Sequence, residues 1–266
     1  MGSWSLDPVP LVAGAAALML YGQGFARLRR RRRDLARAGD ALLFAGGILV
    51  AVVAVVSPLD HYADDELLSA HMLQHLLLGD VAPILLVLGV RGPLGVFVLP
   101  RAPLRTLARI NPLRRTLSFL LRPRVSFAVW ALAVGAWHVP AAYDAAVAHP
   151  ALHVFEHVTF VLGGLLVWTQ IVDPMRHERL SPGRRALFAG AVLVAGMGLS
   201  EVLLLAGPLY PHYAHIAHRT FGWSAGEDQR RAALLMMAEQ IATLGTAAGL
   251  LLWSHAERVA RELSLS

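Results

Sequence analysis

The chain of 266 residues contains no cysteine and no lysine. Without cysteine there is no disulfide framework, no thiolate metal site, no iron–sulfur cluster and no thiol nucleophile. Charge is scarce as well: 16% of residues are charged, where a soluble domain carries about a quarter. By contrast 56% are apolar and the mean hydropathy is +0.54, so the chain is built for a lipid solvent. Also missing are the fingerprints of serine hydrolases, P-loop and dinucleotide enzymes and His-Glu-x-x-His metalloproteases. His153-Val-Phe-Glu156-His157 has the inverted order of some zinc peptidases, but such an enzyme also needs a third ligand and a substrate cleft. The sequence therefore points away from an enzyme.

An α-helical crossing needs about 20 mainly apolar residues. Seven segments qualify, near 8–25, 40–56, 67–90, 125–138, 152–172, 186–206 and 232–253. They predict an all-α polytopic protein with one seven-helix membrane domain over 1–266. The net charge of +6 comes from 24 arginines against 18 acids. On an alternating seven-span path, 21 of the 24 share one side, in the intervals 27–37, 91–124, 176–185 and 258–261. Basic residues stay cytoplasmic, which predicts an outer amino terminus and an inner carboxyl terminus. The first segment is expected to remain as a membrane helix, because its basic run follows the apolar stretch instead of preceding it. No basic groove interleaved with aromatics is visible, so the arginines read as topology signals and anionic-lipid contacts, not as a nucleic-acid footprint.

Ten of the 12 histidines fall on the opposite side, and only His177 and His255 lie with the arginines. His71 and His75 stand four apart near the outer end of the third segment, so their rings share one helix face. His153 and His157 repeat that spacing in the fifth, with Glu156 beside them and His149 one turn earlier, and His138 closes the fourth in Trp-His-Val-Pro. Burying several imidazoles near hydrocarbon is costly unless they bond to one another, to carboxylates or to a cation. The residues thus leave open a metal site, a haem clamped by histidines from two helices, or a metal-free hydrogen-bonded network. His61 joins the outer group, and His212, His215 and His218 recur in the last outer loop at a spacing suited to an interfacial helix or an entry port. Intramembrane acids are functional candidates by default. Asp80, Glu201 and Glu239 qualify, and Met236 and Met237 add soft thioethers beside Glu239.

Several strings together resemble one family. Ser57-Pro58-Leu59-Asp60, Ala70-His71-Met72-Leu73-Gln74-His75-Leu76, Ala82-Pro83 and Leu88-Gly89 form a first block. Trp137-His138-Val139-Pro140 with Tyr143-Asp144-Ala145-Ala146, then His153, Glu156-His157 and Phe160, form a second, and Leu209-Tyr210-Pro211 with Asp228-Gln229 a third. These blocks are similar to the CtaG family of assembly factors for caa3-type cytochrome c oxidase, polytopic proteins of bacterial membranes. After Asp228-Gln229 the chain departs, reading Arg230-Arg231 and Met236-Met237-Ala238-Glu239 where the family has Gly and then Met-Trp. Asp80 stands where an aliphatic residue is expected. The resemblance implies a protein of the bacterial cytoplasmic membrane that serves a haem-copper oxidase subunit and carries copper as cargo. On that reading His71, His75, His138, His153 and His157 form the ligand set, and Glu156 and Asp144 orient it.

Overall fold

Proline and its capping residues decide where helices begin. Pro8, Pro58, Pro123, Pro140, Pro150, Pro182 and Pro211 each open a helix, where the missing N–H costs nothing and the fixed φ suits the first turn. Asp7 caps the first helix through the Val9 N–H at 2.9 Å, and Ser224 and Glu227 close a reciprocal capping box at the start of the last. The computed structural model describes residues 4–264 apart from 6, 99–100, 176–179 and 217–219, with backbone alone at 96 and 101–103. No strand occurs among the described residues.

Six helices are long and apolar enough to cross a membrane: Pro8–Arg31, Arg33–Val56, Leu68–Gly89, Pro150–Val172, Pro182–Leu205 and Ala225–Leu263. The fourth apolar segment differs from its expectation. Pro123–Trp137 has only 15 residues, and it meets Asn111–Leu120 at a bend of 78°. Pro123 cannot continue the preceding helix, so a seventh crossing exists only as this broken pair. Numbered in chain order with the pair as the fourth, these are the spans referred to below. Leu42, Leu132, Leu187, Val194 and Leu205 lie exposed on the outer faces while Gln74, Ser200, Gln229 and Gln240 are buried, as lipid outside and hydrogen bonding inside require.

Antiparallel packing gathers most of the described histidines at one end of the bundle and the arginine-rich segments, with His255 against Gly183, at the other. At the arginine end the Gly92 N–H bonds Pro174 O at 2.7 Å, and Arg27 donates to Phe97 O at 3.1 Å. At the histidine end Asp228, on the seventh span, accepts from the Leu68 and Ser69 N–H groups at 2.8 and 3.1 Å. That carboxylate satisfies the free N–H groups opening the third span and fixes its register. Gln229 beside it accepts from the Leu209 N–H and donates to Leu203 O and Gly207 O, tying down the loop between the sixth and seventh spans. The Gln74 amide donates to Ala54 O and to Asp60, holding the third span to the end of the second.

The third and fifth spans meet at an unusually close approach. A Cβ on Gly164 would lie 1.9 Å from Gly79 O, so only glycine permits it. Gly79 belongs to a π turn, Leu77–Val81, and the seventh span has its own at Ile241–Gly245. Such wide turns inside α-helices often mark functional sites.

Candidate metal centre

The glycine contact places the first turns of the third and fifth spans side by side, and two pairs of histidines four residues apart therefore face each other. One nitrogen from each of His71, His75, His153 and His157 lies within 4.8 Å of all the others. Ring centroids are 4.3 Å apart for His71 and His75, 4.2 Å for His153 and His157, and 5.2 and 5.4 Å across the two helices. His71 and His75 are buried, and His153 and His157 half-buried.

Surrounding groups orient the rings. His71 Nδ1 lies 3.3 Å from Ala63 O and 3.0 Å from the Tyr213 hydroxyl, which itself donates to Ala63 O and accepts from Tyr143. A proton held at Nδ1 directs the Nε2 lone pair of His71 into the cluster, the usual arrangement behind a ligating histidine. His71 Nε2 and His75 Nε2 stand 2.9 Å apart, so without a cation one ring donates to the other. Two carboxyl groups flank the set. Asp64 reaches 3.8 Å from His71 and 3.7 Å from His153, and Glu156 lies 3.6 Å from His75 Nε2. Burial, with Asp60 and Asp65 close by, pushes the Asp64 carboxyl up to about 7.

The cluster leaves polar atoms unmet. His153 Nε2, His157 Nε2 and both Glu156 oxygens are buried without a hydrogen-bond partner. Four converging imidazoles with two adjacent carboxyls suit copper, zinc or nickel better than a hard, oxygen-seeking cation. No other group of three or more histidine, aspartate or glutamate side chains of this kind occurs among the described residues.

The other expected site residues lie outside this four-nitrogen group. His138 follows the end of its helix, its Nδ1 bonds Val134 O at 2.8 Å, and it lines a neighbouring cavity. His61 pairs with Asp65 at 2.8 Å on the surface, and His149 is exposed and folds back onto Ala145 O. His212 bonds the backbone of Asp64, while His215 and Glu201 are exposed. His218 lies outside the described residues. Met236 packs in an apolar cluster with Met72, Tyr143 and Leu203, whereas Met237 and Asp144 are half-buried. Glu239 faces the cavity beside His138. Asp64 and Tyr213 are the neighbours that sequence reasoning missed. Their only signals are an acid run ending shortly before His71 and a tyrosine lodged between His212 and His215.

Over 192 residues, 69% of its length, the chain is 29% identical to two uncharacterized proteins, one from Mycobacterium bovis and one from Mycobacterium tuberculosis. It spans 29% of the length of these relatives. No solved structure matches it. The model of the cytochrome c oxidase caa3 assembly factor family, Caa3_CtaG, matches residues 19–258, nearly the whole chain, and the chain belongs to that family.

Proposed function

We propose that this assembly factor binds copper at His71, His75, His153 and His157 and hands it to a haem-copper oxidase subunit of a bacterial cytoplasmic membrane, without catalysing a reaction of its own. The carrying observation is the convergence of four imidazoles within 4.8 Å, with the Nε2 atoms of His153 and His157 buried and without a partner. The four histidines would hold the ion, Asp64 and Glu156 would offset its charge, and His71 would be kept in the ligating tautomer by Ala63 and Tyr213. Half-buried His153 and His157 give the cargo a way in and out. The arginine distribution supports a carboxyl terminus inside and a histidine end outside, where copper would arrive.

A haem fits less well. The four rings pack against one another at 4.2 to 5.4 Å and leave no slot between the third and fifth spans for a porphyrin. The 2.9 Å contact of His71 with His75 favours a second reading, in which a metal-free network fixes helix ends in a scaffold for the nascent oxidase.

Elemental analysis of detergent-purified protein loaded with Cu(I) separates these readings. The copper carrier retains stoichiometric copper, loses it in the His71→Ala, His75→Ala variant and shows no Soret band. Copper at background in the wild type leaves the scaffold.

A further inference from the structure

Next to the histidine cluster lies a cavity with about 70 Å³ of water-accessible space, which the copper reading does not use. His75, His138, Asp80, Glu239 and Gln240 line it among apolar side chains, and no arginine does. Asp80 sits in the π turn of the third span and Thr243 in that of the seventh. The Thr243 hydroxyl donates to Asp80 at 2.7 Å, and the Trp168 indole N–H donates to its other oxygen. Glu239 has less support, sharing Thr243 with Asp80. Both its oxygens are buried with no close hydrogen bond, and the carboxyl beside them, lining the same cavity, is that of Asp80.

Two carboxyl groups facing each other are acceptors only when both are ionised, and like charges in a low-dielectric interior cannot both persist. A cation must stand between them. Metal ions are poorly served, because no third histidine, aspartate or glutamate completes a ligand group there among the described residues. A proton needs only the two oxygens. His138, 9% exposed, leaves Nε2 unpartnered in the wall of the cavity, and Gln240, 7% exposed, leaves Oε1 so. Such unmet groups, in a cavity with space for water, call for water at its polar edge.

We propose that Asp80 and Glu239 form a proton-binding pair inside the bundle, which holds one proton between two carboxyl groups and exchanges it through cavity water with the histidine end. The titratable groups facing the pair are His75 from the third span and His138 from the fourth. Trp168, Thr243 and Gln240, from the fifth and seventh, are neutral. The site stands apart from the copper reading, since it needs no metal.

Infrared difference spectra of the metal-free, detergent-purified protein at neutral pH, in H₂O and in D₂O, test it. The wild type should show a protonated-carboxyl C=O stretch that shifts on exchange into D₂O. Glu239→Gln should remove one carboxyl of that intensity, and Asp80→Asn, which alters the partner, should move the band. If Glu239→Gln fails to fold, the Asp80→Asn shift alone decides. A band unchanged in both variants overturns the proposal, as does its absence from the wild type. No exchange with D₂O overturns the water route.

Discussion

At the histidine end of the bundle polar groups are buried, and the key ones are fixed from another helix; at the arginine end charges are exposed or cap nearby carbonyls. His71 is set by Ala63 and Tyr213, and the third span by Asp228 from the seventh. At the other end Arg32 pairs with Asp34 on the open surface, Arg185 donates to Ile171 and Val172 carbonyls, and Asn111–Leu120 has no buried residue. The difference shows two uses of polarity in one membrane protein. A buried imidazole depends on the placement of single atoms, whereas exposed arginines act mainly through their number and side.

Paired substitutions should break this comparison most clearly. His153→Ala with His157→Ala is expected to reduce bound copper to background, while Arg114→Ala with Arg115→Ala leaves stoichiometry unchanged, both read by elemental analysis. Next in size is the glycine contact. Gly164→Ala forces a methyl against Gly79 O and should cost on the order of 1–3 kcal/mol of stability, with weaker copper binding because the two histidine pairs move apart. Gly190 has open space where a Cβ would go. Gly190→Ala should therefore leave the thermal midpoint unchanged or raised, since it only restricts the unfolded chain.

The flanking acids sharpen the contrast further. Asp64→Asn or Glu156→Gln should weaken copper about 10–100-fold in a competition titration while stoichiometry at saturation holds. His138→Ala, outside the four-ring cluster, should leave that affinity intact. The smallest effect belongs to Asp60, whose carboxyl burial raises above its ordinary 3.8 although the Gln74 amide draws it down. A raised carboxyl contributes stability that is fully present below the ordinary value and is lost as pH climbs through the folded one. Thermal midpoints of the metal-free protein should thus fall as pH rises above 4, and less steeply in Asp60→Asn.

Much of the fold is legible because lipid imposes a simple length rule, and most crossings stand out as long apolar runs. The fourth does not, since Pro123 breaks the helix at a point where hydropathy alone continues. The i,i+4 histidine pairs are legible because helical period puts His71 with His75, and His153 with His157, on common faces. Depth along a span is legible too, but direction around the bundle is not. His138 shares the end of the bundle with the other four and still turns to another cavity, because its Nδ1 is held by Val134 O. Tyr213, Asp228 and the reach of Asp64 to His153 act across sequence separations that no local pattern encodes, and Met236 reads as a soft ligand until its apolar neighbours are seen.

The central claim is that copper sits among imidazoles from two facing helices. X-ray absorption at the copper edge of the Cu(I)-loaded protein tests it most directly. The account predicts a first shell of nitrogen scatterers with the multiple-scattering pattern of histidine rings, reduced in the His71→Ala, His75→Ala variant and unaltered by Met236→Leu with Met237→Leu. A sulfur-dominated shell that survives the histidine substitutions and disappears with the methionine ones would contradict it.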